Sequence, residues 1–299
     1  MIDPKILTFL TAAEQKSFTK AAKVLSLTQP AVSHHISQLE AELNAPLFLR
    51  GRHELTLTRE GEIVLKFAER MRAIEEKMIE EIEDSKHRVQ KITVGITHTA
   101  ESNLIVQVLA KIGTKNPGLN ITIITDTINN LYRMLANFEL DLAIVEGKNQ
   151  SPDLNSTLLD TDKLVCVMSN DNPLAKSPAI TIGQLKKEKL ILRLPSSATR
   201  RLFESTLESI DESIRSFDIA IEVDNIATIK DLVRKDFGVS ILAGSACERE
   251  VKKRSLTALP IENFSMIREI NVVYHKTFSG SDILRDLVEE YRLLARDLG

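Results

Sequence analysis

Apolar positions recur at helical spacing through the first third of the chain and then shorten into runs typical of strands. Ile6, Leu7, Phe9 and Leu10 suit one face of a first helix. Ala21, Ala22, Val24 and Leu25 pack inward from a second, and Val32, Ile36, Leu39 and Leu43 from a third. Ser17 and Thr28 stand where the second and third helices need N-caps, and Pro30 falls in a first turn, where a missing N–H costs nothing. The third helix leaves Gln29, Ser33, His34 and Ser37 on its other faces. Two short helices joined by a tight turn, the second showing a polar face, form a unit that lays one helix in the major groove of DNA. Leu47-Phe48 anchors RGRHELTLT (50–58), which alternates enough for a short β-hairpin, or wing.

Residues 59–90 predict one long, charge-rich helix with neither Gly nor Pro after Gly61. Phe67, Met71, Ile74, Met78 and Ile82 step by four, three, four and four, close to a heptad seam. Such a stripe either packs on its own core or pairs with a second copy. The length and density of charge favour a dimerising linker.

From Lys91 the texture changes. ITVGIT (92–97), LNITIITD (119–126), DLAIVEG (141–147) and KLVCVMSND (163–171) are short apolar runs, mostly separated by helical stretches. EKLILRL (188–194), DIAIEVDN (218–225), GVSIL (238–242) and EINVVYHK (269–276) follow. This alternation predicts an α/β fold with a mainly parallel sheet, long enough for two lobes.

Composition narrows the function. The 299 residues carry a net charge of −3, so a DNA-binding role must rest on a local surface. Residues 1–60 hold seven Lys/Arg against six Asp/Glu, plus His34, His35 and His53, a weakly positive balance. Two cysteines, Cys166 and Cys247, make no disulfide framework, and no C-x-x-C or Cys/His pair offers a zinc site. Cys166 lies in an apolar strand run and reads as core; Cys247 reads as inert or as a redox sensor. MIDPKILTFL does not read as a signal peptide and no run of about 18 apolar residues occurs, so the expectation is a cytoplasmic protein with no membrane contact. The chain contains no G-x-G-x-x-G, P-loop, G-x-S-x-G or H-E-x-x-H, and its histidines are scattered. No catalytic residue, metal or cofactor is expected.

SFTKAAKVLSLTQPAVSHHISQLEAEL, the following PLFLRGRHELTLTREGE and the offset to an α/β domain together resemble the LysR-type transcriptional regulators over essentially the whole chain. In the effector region, DLAIVEG, ILRLPSSATRRLFE and NIATIKDLVRKDFGVSIL resemble the branch of cysteine-metabolism and carbon-fixation regulators. The resemblance implies an all-α winged helix-turn-helix (1–58), a long linker and dimerisation helix (59–90) and a two-lobed, type 2 periplasmic-binding-protein-like effector domain (91–299). Lobe I would take 91–161 and 267–299, and lobe II 162–266. The implied partners are double-stranded DNA, further copies in a homodimer or homotetramer, and a small anionic metabolite as coinducer. RNA polymerase is a further candidate partner. Many members have Arg where His34 stands, and His cannot make the bidentate Arg–guanine contact. The branch's Gly-Ser-Gly-Thr loop is here Ser196-Ser197-Ala198-Thr199.

On this frame, Gln29, Ser33 and His34 are placed to reach base edges, Thr28 to meet phosphate, and Pro30 to start the reading helix. Arg50 and Arg52 in the wing suit phosphates or a narrow minor groove. In the sensor, ligands of open α/β sheets bind at strand carboxyl ends and helix N-termini. Thr97 and Thr99 follow one strand, Ser196, Ser197 and Thr199 another, and Thr127 and Asn225 lie at comparable ends. Each hydroxyl either caps its helix or meets ligand as well, and Arg200 either pairs within the fold or touches ligand.

Overall fold

The computed structural model describes residues 1–49, 55–87, 90–102, 104–149, 151–278 and 280–298, without the side chains of 85, 87 and 296–298. Three helices open the chain: α1 (Pro4–Gln15), α2 (Phe18–Val24) and α3 (Gln29–Leu43). Each begins where a side chain satisfies an otherwise orphaned N–H: Asp3 accepts from Lys5, Ser17 from Lys20 and Thr28 from Ala31. Their core gathers Phe9, Leu10, Ala21, Ala22, Val32, Ile36 and Leu39 with Leu47 and Phe48. Val24 and Leu43, expected inside, are exposed, because each is the last residue of its helix and lies beyond the packed turns; Leu7 also turns outward.

A short antiparallel hairpin follows, β1 (Phe48–Leu49) on β2 (Thr56–Leu57). Phe48 ties it to the helices, its ring 5.4 Å from both Phe9 and Phe18. The hairpin's tip, with Arg50, Arg52 and His53, lies outside the described residues. Thr58 donates to the Pro46 carbonyl and accepts from Gly61 N, so the next helix starts hard against the hairpin. A Cβ on Gly61 would stand 2.1 Å from the Leu47 carbonyl oxygen, which is why only glycine fits there.

Helix α4 (Arg59–His87) is the long helix the charge pattern predicts, but it does not reach residue 90. Gln90 instead opens β3 (Gln90–Ile96), donating to the Gly118 carbonyl. The chain divides into two units, Met1–Val89 with Ala136–Glu139, and Gln90–Leu135 with Leu140–Gly299.

The second unit continues through α5 (Ile105–Lys115), β4 (Leu119–Thr125), α6 (Ile128–Ala136), β5 (Leu142–Glu146) and β6 (Leu154–Met168). Then come α7 (Ile182–Leu185), β7 (Lys189–Leu192), α8 (Ala198–Glu208), β8 (Asp218–Glu222) and α9 (Ile226–Arg234). It closes with β9 (Ser240–Ala243), α10 (Gly244–Lys252), β10 (Thr257–Leu259), β11 (Ile267–His275) and α11 (Ser281–Leu298). The main sheet runs β10-β6-β11-β5-β3-β4, with β9 also on β6, and β7 pairs with β8 apart from it.

The sheet is mixed rather than mainly parallel. β3 pairs parallel with β4 and β5, and β7 parallel with β8, but β11 runs antiparallel to both β5 and β6, and β6 antiparallel to β9 and β10. The cause is that β6 and β11 lie side by side in opposite directions over most of their length, each passing from one hydrophobic core into another. On one side, β3, β5, α5 and α11 enclose Val94, Ile96, Val108, Leu142, Ile144, Val272 and Leu287. On the other, Leu164, Met168, Leu190, Phe203, Ile229 and Leu242 belong to a separate cluster.

Helix α11 is pinned to α5 by charge. Glu290, largely buried, meets Lys111 Nζ at 2.8 Å and also Lys115 Nζ. The Lys111 and Lys115 hydrogen bonds outweigh burial and hold the Glu290 carboxyl below the usual range. A carboxylate with a lowered folded-state pKa contributes stability above its unfolded value and loses it as pH falls through the folded one. Glu290→Gln is therefore expected to lower the melting temperature at pH 7, with the gap from wild type shrinking as pH drops below about 4. Thermal unfolding of both proteins across that range checks this. A gap of constant size would assign the loss to packing instead of charge.

Candidate nucleic-acid interface and effector cleft

In the N-terminal unit, the Thr28 cap fixes the start of α3 and leaves Thr28, Gln29 and Pro30 exposed at its tip. Gln29 Nε2 donates to Ser33 Oγ at 2.9 Å, so the two side chains form one polar ridge a helical turn long. The adjacent histidines separate by environment. His35 is half-buried, its Nδ1 2.9 Å from Thr8 Oγ1 on α1, whereas His34 is exposed on the ridge side of the helix. Glu40 Oε1 accepts from the backbone N–H of Leu47 at 2.7 Å and of Phe48 at 3.4 Å, which locks the far end of α3 to the hairpin. Helix α3 is thus fixed at its start by an exposed cap and at its far end by the hairpin.

In the second unit, a solvent-open cleft lies where strands end and helices begin. One wall is Thr97, His98 and Thr99 after β3, Asp126, Thr127 and Ile128 after β4, and Glu146, the last residue of β5. The other is Arg193 after β7, Ser196, Ser197, Ala198 and Arg201 around the start of α8, and Asp224 after β8. Thr97 Oγ1 donates to Glu146 Oε1 at 2.7 Å and accepts from Ala100 N at 3.1 Å. Ser197 caps α8 by accepting from Arg200 N at 3.1 Å. Arg193, buried to 4 % exposure, gives Nη2 to Asp224 Oδ1 at 2.9 Å. Burial works against ionisation of Asp126, but hydrogen bonds from Asn130 and Thr127 prevail and hold its carboxyl below the usual range.

Of the seven expected effector contacts, Thr97, Thr99, Thr127, Ser196 and Ser197 line this cleft, and Thr199 and Asn225 do not. Thr199 sits one residue into the helix, is buried, and accepts from Arg268 Nη1 at 3.3 Å. Asn225 is exposed and spends its side chain capping α9, accepting from Thr228 N; its neighbour Asp224 takes the place on the wall. Arg200 is internal, paired with Glu204 at 2.5 Å and Glu222 at 3.2 Å. The wall's ionisable members, His98, Asp126, Glu146, Arg193, Arg201 and Asp224, are not among the expected contacts. Asp126, Glu146 and Arg193 each stand at or just past a strand end, so the strand-end rule applied to charged as well as hydroxyl side chains would have found them. Among the described residues no group of His, Cys, Asp and Glu is placed to hold a metal, and no helix is long and apolar enough to cross a membrane.

A helix-turn-helix with an exposed polar ridge and an α/β unit with a cleft at strand ends are the two parts that a ligand-responsive DNA-binding protein requires. Residues 5–62 match the family of bacterial regulatory helix-turn-helix proteins of the lysR type, and residues 85–294 match the LysR substrate binding domain; the chain belongs to the LysR family and is a ligand-responsive, DNA-binding transcriptional regulator. It is similar to the HTH-type transcriptional regulator CysL of Bacillus subtilis (strain 168), 28% identical, over 89% of each chain. It is also similar to a probable RuBisCO transcriptional regulator of Trieres chinensis, 27% identical over 87% of this chain and 86% of the relative. Full-length CbnR in complex with its target DNA has the same fold, with a TM-score of 0.68 at 18% identity, covering 98% of this chain and 99% of CbnR. So does the regulatory domain of Synechocystis CcmR in complex with 2-PG, with a TM-score of 0.59 at 23% identity, covering 68% and 96%.

Both cysteines are buried and unpaired. Burial pushes the Cys247 thiol up to about 12, with Glu250 and Asp162 adding to it against Lys230, so almost no thiolate exists near pH 7. Iodoacetamide is expected to leave Cys247 unmodified in the folded protein and to alkylate it only after denaturation, as peptide mass spectrometry would read. Rapid labelling of the native protein would reinstate a redox role.

Proposed function

We propose that α3 reads the major groove of a dyad operator through Gln29, Ser33 and His34, with Thr28 and Pro30 setting its entry, and with Arg50 and Arg52 of the hairpin on the backbone or minor groove. A small metabolite with an anionic group binds in the cleft, on the Thr97, Thr99, Thr127, Ser196 and Ser197 hydroxyls. The observation that carries this reading is the convergence of those five side chains and the α8 N-terminus on one cavity at strand ends. The chain is parcelled into 1–58, 59–90 and 91–299, the last with lobes 91–161 plus 267–299 and 162–266. No catalytic step is part of this function.

Assembly rests on α4. Phe67, Met71, Ile74, Met78 and Ile82 follow the seam read from the sequence, and each is between 44 % and 55 % exposed in the single chain. A stripe of that length left in water is what a partner helix buries. Pairing of two copies through α4 sets two recognition helices about 34 Å apart, one helical turn of DNA. Further pairing gives a homotetramer whose DNA bend responds to the effector, with RNA polymerase as the partner downstream.

Two measurements test these parts separately. Ser33→Ala with His34→Ala is expected to reduce discrimination between operator and random duplex by roughly tenfold or more, while salt-sensitive nonspecific binding survives. Fluorescence anisotropy across a salt series reads both, and undiminished operator preference would remove these residues from the interface. Ile74→Glu is expected to shift the protein to monomer in sedimentation velocity, since it places a charge in the seam. An unchanged sedimentation coefficient would move the dimer contact off α4.

A further inference from the structure

The cleft is not built for an anion alone. Glu146 and Asp162 are both buried, with side chains 3 % and 4 % exposed, and they share one guanidinium: Arg268 Nη2 stands 3.9 Å from Glu146 Oε1 and 3.4 Å from Asp162 Oδ2. Asp162 is otherwise well served, accepting from Lys163 N at 2.9 Å and from the hydroxyl of Ser245 at 2.9 Å and its N–H at 3.3 Å. Glu146 is not. Its Oε1 takes the Thr97 hydroxyl, and Oε2 accepts from no described residue. Two carboxylates sharing one guanidinium leave this stretch of the cleft wall with a negative charge that no side chain among the described residues matches. Asp126 adds a second carboxylate to the same wall.

The opposite wall has the complementary shortage. Arg193 is buried and bonded to Asp224 through Nη2, while its Nε has no hydrogen-bond partner among the described residues. Arg201 and the start of α8, an 11-residue helix capped by Ser197, add positive potential beside it. Glu146 and Asp126, beside His98, line one wall; on the other, Asp224 already pairs with Arg193, leaving Arg201 and the helix N-terminus, so a doubly charged anion would set one of its charges against Glu146.

We propose that the effector is a zwitterion of the amino-acid class, with a primary ammonium held by Glu146 and an acid group held by Arg193, Ser197 and the α8 N-terminus. This rests on the cleft being the effector site, and it adds the second, cationic half of the ligand. Bound there, the ammonium supplies the cation that the Glu146–Arg268–Asp162 cluster lacks.

The test is isothermal titration calorimetry on the full-length protein. The probes are the standard L-amino acids, β-alanine and γ-aminobutyrate, each beside its N-acetyl derivative, together with succinate and inorganic phosphate. At least one amino acid is expected to bind, its N-acetyl form at least roughly tenfold more weakly, the size of one charge-assisted hydrogen bond. Glu146→Gln, which keeps the shape and removes the charge, is expected to erase most of that difference, and Arg193→Lys to weaken both forms. Equal binding of amino and N-acetyl forms overturns the proposal, as does the absence of binding by every amino acid. If succinate or phosphate binds instead and Arg193→Lys weakens it, the zwitterion is wrong and the cleft stands. An amino acid whose binding ignores both substitutions binds elsewhere, and the cleft reading falls with the proposal.

Discussion

Everything in the second unit is organised by two strands that neighbouring cores must share. β6 and β11 pair antiparallel from Ile267 opposite Lys163 to His275 opposite Leu154, with one irregularity between Ile270 and Asn271. Their apolar residues serve one cluster at one end and another at the other: Leu159, Ile270 and Val272 in the first, Leu164 and Cys166, with Met266 just before β11, in the second. Where the change occurs, no apolar side chain fills the gap. Asp162 on β6 and Arg268 on β11 occupy it, tied to each other, to Ser245 at the start of α10 and to Thr199 in α8. Breaking a buried pair like this by removing one partner typically costs about 3–5 kcal/mol, because the other charge is left alone in a low dielectric. The crossing is therefore fixed by polar contacts of defined direction and not by interchangeable hydrocarbon.

That choice explains which features were readable in advance. Apolar runs such as LAIV and KLIL mark strands whatever their partners, and β5 and β7 lie within the segments read from the pattern. The hand of pairing is another matter. Parallel and antiparallel strands share the same two-residue period, so nothing in EINVVYH indicates that β11 runs against its neighbours. The first half of β6, LNSTLLDTD, was hidden for a related reason. It is mostly polar, with apolar residues only at Leu154, Leu158 and Leu159, and carries two aspartates, so it shows neither an apolar run nor an alternation that marks a strand.

At the cleft, hydroxyls were legible and charges were not. Ser197 and Thr127 announce themselves because a hydroxyl before a helix has a local purpose, and both do cap their helices. Thr199 shows the limit of that rule: one residue into the helix, its side chain turns inward to Arg268, a partner 69 positions away that no local pattern reveals. Glu146 and Arg193 look in sequence like ordinary ends of apolar strands. Their significance comes from burial and from the arithmetic of neighbours, both of which require the fold. The N-terminal unit was more transparent because its caps, Pro30 and the apolar spacing all act within a few residues of one another.

A regulator also needs its ligand to distinguish two states, since a ligand that binds both equally shifts nothing. Moving a population from 1:99 to 99:1 takes about 5.5 kcal/mol of differential affinity. Hydrogen bonds to charged groups contribute about 1.5–3 kcal/mol each, so two to four of them must exist in one state and be absent in the other. Contacts to a single wall do not count toward that sum, because they survive when the walls separate. With the effector bound as proposed, the arrangement meets the requirement through its asymmetry. The Thr97–Glu146 pair belongs to one wall, and Arg193, Ser197 and Arg201 to the other. A ligand with complementary ends loses half of its strongest contacts on opening. The contacts from Glu146 through Arg268 to Asp162 and Ser245 run from that wall into β6, β11 and the start of α10.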